Sequence, residues 1–259
     1  DQPIAEGNGY PLVSIAYGSG NYEATKELFK IGINLIHFQY YAIISALRSN
    51  DLDFLKRTIN LKIDVMRFAR ENPSETLWSL DQDDPVVFKE LIRLGFDPKN
   101  PNLLISAAST RHYNSVSKLI DVYKFKGKSK SLALFKAIEV EDIKMVELLI
   151  QKGVNLNTRN SQGYSPFQYA CSNKKFKSAK MLYESLKPDL NVLDPQNLSP
   201  LVYFVMTGNL KNINYFIERG ADVNQVVNNG SVILSYSISI DSEKVLPHLL
   251  SLGCSLNTL

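Results

Sequence analysis

A helix stop that returns at a fixed spacing constrains this chain more than any other feature. The stretch GNLKNINYFIERGADVN, residues 208–224, reads as a helix followed by a glycine and a short polar run. Gly253 lies 33 residues after Gly220, and Gly153 lies 67 before it, about two such periods. Twelve residues before each comes a small or polar residue that opens a helical pattern: Glu141, Gly208 and Asp241. Further back, Ser165-Pro166-Phe167 and Ser199-Pro200-Leu201, 34 apart, each introduce another short apolar segment. One unit reads as finger loop, Ser-Pro, short helix, tight turn, second helix, glycine, next loop. Periods of 20–50 residues mark stacked repeat architectures.

Each piece has a physical reason. Ser165 and Ser199 can accept a hydrogen bond from a free amide at a helix start, and the proline after each is pre-set for the first helical position. Ala170 and the pairs Ile143/Val146 and Ile213/Phe216 have the spacing of one buried helix face. Glycine tolerates the left-handed residue that ends a helix, so GVNLN at 153–157, GCSLN at 253–257 and GINL at 32–35 are expected to reverse the chain as GADVN does.

These residues resemble the ankyrin repeat family, whose pattern contains Thr-Pro-Leu-His, a Gly-His turn and Gly-Ala-Asp-Val-Asn. The clearest copies are 161–186 and 196–224. Weaker units fit the spacing around Gly20-Asn21, Asn50-Asp51, Asp83-Asp84, Arg111-His112, Glu141-Asp142 and Asp241-Ser242, making about eight. The expected fold is therefore all-α: an ankyrin-repeat solenoid of stacked helix-turn-helix units with finger loops, one domain over 1–259. Repeats are clear over 131–257 and degenerate over 36–130, where Ser-Pro and the final glycine are mostly missing. Leu186 and Lys62 fall in the glycine slot of two units, and YKFKGKSKS at 123–131 replaces a finger. What the resemblance implies is a non-catalytic module that binds a partner protein through a concave groove and finger loops.

The composition suits that reading. Hydrophobic residues are 44% and charged residues 21%, which makes the chain globular. A net charge of +3 does not argue for nucleic acid. The longest apolar runs, such as Leu148-Leu149-Ile150, fall far short of a membrane span. Cys171 and Cys254 are too few for a disulfide scaffold and suit a reducing compartment, the cytoplasm or nucleus. The chain opens on Asp1 without methionine or a signal-like segment, so it reads as part of a larger protein. A monomeric domain is expected.

The most informative positions stand one residue before the buried small residue of each first helix: Ser14, Ser45, Trp78, Ser106, Lys136, Tyr169, Tyr203 and Tyr236. Tyr169, Tyr203 and Tyr236 should form a column. Such rings are favoured interface anchors, or they pack against neighbouring repeats. Met206 and Gln168 would flank the strip. The fingers offer Arg159, Asn160 and Gln162, then Gln196 and Asn197, then Asn228 and Asn229. Most of these suit a turn, with Arg159, Gln162 and Gln196 as candidates for contact.

Candidates for chemistry are few. None of the histidines, His37, His112 and His248, lies near a cysteine or acidic residue at metal-ligand spacing. His112 is expected to make a structural hydrogen bond, and both cysteines read as packing residues. No phosphate loop, Gly-x-Ser-x-Gly or His-Glu-x-x-His is present, so no enzyme, cofactor or metal is expected. DQDD at 81–84 reads as a cap for a second helix. Arg111, Lys118, Lys124, Lys126, Lys128, Lys130 and Lys136 form a basic run, either a solvated surface or a patch for an acidic partner. Its alternative role is a regulatory module that binds a phosphorylated ligand or nucleic acid, although sparse aromatics weigh against a nucleic-acid platform. A pathogen effector acting in a host cell would use the same physics.

Overall fold

The computed structural model describes residues 12–13, 15–16, 19–31, 39–60, 62–238 and 243–255. Ser14, the 32–35 stop, His37, the Asp241-Ser242 turn and the end of the 253–257 stop lie outside them. The chain divides into two compact units, 1–129 and 130–259.

The first unit contains α1 (Tyr22–Lys30), α2 (Gln39–Ser49), α3 (Leu52–Asn60), α4 (Val65–Glu71), α5 (Pro73–Asp81), α6 (Val86–Arg93), α7 (Pro101–Ser109) and α8 (Tyr113–Asp121). First helices α2, α5 and α7 pack side by side, as do second helices α3 and α6. The short helix α4 stands where a finger loop is expected. Next, α9 (Gly127–Glu139) crosses the division between the units. The second unit continues with α10 (Ile143–Gln151), α11 (Pro166–Ser172), α12 (Phe176–Leu186), α13 (Pro200–Val205) and α14 (Leu210–Ile217). It ends with α15 (Ile233–Ile238) and α16 (Val245–Ser251). Here α11, α13 and α15 are the stacked first helices, and α10 packs on α12. One finger forms a small antiparallel ladder, Val226 opposite Val232 and Val227 opposite Ser231. The fold class is the all-α helical repeat expected from the sequence.

The backbone shows the period more clearly than the side chains do. Helix-ending left-handed residues are Lys62 (φ 59°), Gly95 (99°), Lys124 (56°), Gly153 (69°), Lys187 (49°), Gly220 (98°) and Gly253 (83°). The expected slot at Leu186 is one residue early: Leu186 closes α12, and Lys187 makes the turn. A second series marks the tight turn inside six of the repeats, at Gly20, Asn50, Arg111, Glu141, Lys174 and Gly208, while the turn at Asp83-Asp84 has no such residue. Chain reversal is thus a geometric slot that glycine fills most cheaply but does not define. Lys124 is exposed, with a φ suited to glycine. Lys124→Gly should therefore raise stability by about 0.5–1 kcal/mol, the left-handed penalty less glycine's added chain entropy. A lowered denaturation midpoint would contradict this.

Helix starts also differ from expectation in part. Ser165 forms a full capping box with Gln168. Ser199 occupies the cap position of α13 but its buried hydroxyl makes no hydrogen bond. In the first unit Asn-Pro replaces Ser-Pro: Asn72-Pro73 opens α5, and Asn100-Pro101 opens α7 with Asn100 Oδ1 accepting from the Asn102 amide at 3.0 Å. DQDD does not cap α6, whose cap residue Pro85 has no side-chain bond. Asp81 instead reaches the next repeat, accepting from the Ser115 amide at 2.9 Å and from His112 Nδ1–H. Burial works to raise the Asp81 carboxyl, but those bonds win and hold it below the usual carboxylate range.

Six of the small-residue positions are buried as expected, Ala46, Ser79, Ala107, Ala137, Ala170 and Ser237; Phe204 is buried but large, and Ile15, after Ser14, is instead 66% exposed. Each of the six allows close approach of stacked first helices. Phe204 is accommodated in an aromatic cluster, stacked on Phe216 at 4.7 Å and met edge-on by Phe176 at 5.7 Å.

The final asparagine of GADVN has its own task. Asn191 Nδ2 donates to the Gly220 carbonyl at 3.1 Å and its Oδ1 accepts from the Asp222 amide at 2.9 Å. One period later, Asn224 does the same to Gly253 and Ser255, at 3.1 and 2.7 Å. Each stop therefore clamps the following stop. Asn191→Ala should cost about 1 kcal/mol, two exposed bonds' worth. Hydrogen exchange should show faster opening at 220–222, and unchanged protection there would contradict the clamp.

Candidate functional site

Two successive fingers in the second unit are built alike. Asn160 Oδ1 accepts from the Gln162 and Tyr164 amides, both at 3.0 Å. Asp194 Oδ1 accepts from the Gln196 and Leu198 amides at 2.8 and 3.0 Å. These turns present Gln162 and Gln196 outward, and between them lies a recess of about 510 Å³. It is lined by Gln162, Tyr164, Tyr169, Ser172, Asn173, Pro195, Gln196 and Tyr203. The structure thus brings together four of the residues picked from the sequence: Gln162, Tyr169, Gln196 and Tyr203.

The three tyrosines occupy equivalent places in the repeat but are not equivalent in their surroundings. Tyr203 is only 6% exposed. Its hydroxyl donates to Asp194 Oδ2 at 2.5 Å and lies 3.3 Å from Gln196 Oε1. Burial, then the Asp194 carboxylate, pushes this phenol well above its ordinary pKa, so it stays protonated. Tyr169 is half-buried, its ring edge-on to Phe135 at 5.3 Å. Burial also raises its hydroxyl, with Glu139 adding to the effect. Tyr236 is half-buried on α15. Met206 remains 36% exposed.

Gln168 is a correction. Expected beside the strip, it is buried, because its Oε1 accepts from the Ser165 amide at 3.2 Å and its Nε2 donates to the Leu193 carbonyl at 3.1 Å. It serves a helix start and the next finger rather than the surface. Arg159 is exposed but folds over its own finger, Nη1 donating to the Gly163 carbonyl at 2.6 Å.

In the first unit Trp78 is 39% exposed. The Arg48 guanidinium lies 4.7 Å from its ring centre, and His112 meets it edge-on at 4.9 Å. Arg48 also pairs with Glu75 at 2.9 Å and donates to the Tyr22 hydroxyl. This network joins helices that lack the usual Ser-Pro starts. Nothing in the local sequence pattern announces it, since its members are spread from 22 to 112.

The basic run is dispersed. Lys118 Nζ donates to the Leu80 and Gln82 carbonyls at 2.9 and 2.5 Å, and Lys130 Nζ to the Lys152 carbonyl at 3.3 Å. Both cap helix ends, where cations are favoured. Lys136 pairs with Glu139 at 2.9 Å. Arg111 holds the left-handed turn before α8. Lys124, Lys126 and Lys128 are the exposed members without an ion pair among the described residues.

A larger apolar furrow, about 710 Å³, lies between second helices α10 and α12, lined by Ile143, Ile150, Phe176 and Met181 among others. Sequence reasoning missed it; the signal was Ile143, placed in the core by periodicity but only half-buried. Cys171 is fully buried, and burial lifts its thiol well above its usual value. Cys254 is also buried and free. Among the described residues no cluster of His, Cys, Asp and Glu could hold a metal ion, and no helix is long and apolar enough to cross a membrane.

Paired helices, a left-handed stop and a finger loop, returning about every 33 residues, define an α-helical repeat protein. The family model described as Ankyrin repeats (3 copies) matches residues 103–194. The chain is 23% identical over 227 residues to an ankyrin repeat protein of Acanthamoeba polyphaga mimivirus, covering 82% of this chain and 29% of that protein. It is 25% identical over 113 residues to an ankyrin repeat protein of fowlpox virus, 44% of this chain and 16% of the other. It is 24% identical over 131 residues to the transient receptor potential cation channel subfamily A member 1 of Drosophila melanogaster, 49% and 11% respectively. The chain therefore spans less than a third of the length of these relatives. Over residues 103–194 it carries ankyrin repeats, which are in general protein–protein interaction modules.

Proposed function

We propose that this chain is a non-catalytic module that holds a partner protein across the fingers and first helices of its second unit. The observation that carries this is the recess, where two successive fingers and first helices converge on Gln162, Tyr169, Gln196 and Tyr203. Tyr169 offers a half-exposed ring backed by Phe135, a rigid anchor of the kind that dominates interfaces. Gln162 and Gln196 add exposed amides whose backbones are fixed by Asn160 and Asp194, so little ordering cost accompanies contact. Binding rests on shape and hydrogen-bond fit, in a reducing compartment that keeps Cys171 and Cys254 as thiols.

The test compares the wild-type chain with a Tyr169→Ala/Gln196→Ala double variant as bait in cell extract. Proteins retained by the wild type should be lost from the variant while the two thermal unfolding curves coincide. Identical retained sets would overturn the reading.

A further inference from the structure

Three of the side chains around the recess direct their donors into the protein. Tyr203 O–H donates inward to Asp194. Ser172 O–H donates to the Tyr169 carbonyl at 3.1 Å. Asn173 Nδ2 donates to that same carbonyl at 2.8 Å and to Ser172 Oγ at 3.4 Å. The hydrogens of these three side chains are therefore committed to the protein. What these groups retain is acceptor capacity, on the Tyr203 hydroxyl and Asn173 Oδ1, within a lining that also holds the Gln162 and Gln196 amides and the Tyr164 and Tyr169 hydroxyls.

Behind these side chains lies a carboxylate. Asp194 is 5% exposed, and its partners are the Tyr203 hydroxyl and the Gln196 and Leu198 amides. No lysine, arginine or histidine pairs with it among the described residues. A buried carboxylate held only by neutral donors keeps a negative potential in the space beside it.

We propose that the recess receives an arginine side chain of the partner protein. A guanidinium carries five donors and no acceptor, so it can use the acceptor sites that the inward-directed donors leave, and its planar charge suits the flanking tyrosine rings. Asp194 supplies the counter-charge through the Tyr203 hydroxyl. This rests on the interaction reading above and names the chemistry that the same site selects.

The probe is the capped tripeptide acetyl-Gly-Arg-Gly-amide, titrated into the ¹⁵N-labelled full chain, with the citrulline tripeptide as its neutral isostere. Amide shifts are expected at Gln162, Asn173 and Gln196, with the arginine peptide binding at least about fivefold more tightly than citrulline, the scale of one partly screened charge interaction. Asp194→Asn should abolish that preference. Because that residue is buried, Gln196→Lys, at an exposed position, gives a second reading and should weaken arginine binding about fivefold or more. Equal binding of both peptides, shifts confined to other surfaces, or no shifts would each overturn the arginine assignment. The interaction reading itself would then stand or fall separately, on the proteins lost by the Tyr169/Gln196 double variant.

Discussion

Phe216→Ala is expected to cost the second unit about 3–5 kcal/mol, the range for emptying a buried phenylalanine site. Phe216 is fully buried at the centre of an aromatic cluster drawn from two successive repeats. It stacks on Phe204 at 4.7 Å and meets Tyr215, Phe176, Phe167 and Tyr183 at centroid distances of 5.1 to 6.1 Å. Rigid rings held on four helices of two repeats cannot collapse together into the space left behind, so the cavity persists. In a solenoid, each repeat depends on its neighbours' interfaces, so the loss should propagate to both adjacent repeats. Chemical denaturation of the full chain reads the size of the effect. A loss under about 1 kcal/mol would mean that the cluster repacks, contrary to the close packing described.

Gly220→Val carries the next largest effect, about 2–3 kcal/mol, by backbone strain. A side chain at 220 would meet no atom within 4 Å, so crowding contributes nothing. The cost lies in φ, which at +98° is beyond the range that Lys187 adopts at +49° in the preceding stop. A β-branched residue tolerates that region least. Asn191 also holds the Gly220 carbonyl at 3.1 Å, so a shift of the backbone there to relieve strain would lengthen that bond. Unchanged denaturation in this variant would show that the stop is not held as described.

Much of the architecture was legible because chain reversal and helix starts depend on a few special residues. Gly153, Gly220 and Gly253 announced their stops, and Ser165-Pro166 announced a capping box. What escaped was the same geometry made by ordinary residues. Lys124 and Lys187 adopt the left-handed turn that glycine makes elsewhere, and no local pattern distinguishes them from surface lysines. Asn72-Pro73 and Asn100-Pro101 could have been read, since asparagine caps helices as well as serine does.

The site was legible in its members but not in their roles. Periodicity placed Tyr169 and Tyr203 at equivalent positions, yet it could not show that Asp194, nine residues before Tyr203, would turn that hydroxyl inward. Likewise Gln168 looked like a groove residue, and only the Leu193 carbonyl of the next finger explains its burial. Lys118 and Lys130 looked like part of a charged patch until helix ends claimed them. Side-chain direction depends on contacts one repeat away, which a helical period does not encode.

The most direct test of partner binding at the recess is site-specific photo-crosslinking in cells. A photoreactive phenylalanine analogue replaces Tyr169 in one chain and Lys180, on α12 beside the apolar furrow, in another. Irradiation should join the chain to a discrete partner from position 169 and not from position 180. Crosslinks from 180 alone, or from neither position, would contradict the assignment of the recess as the binding surface.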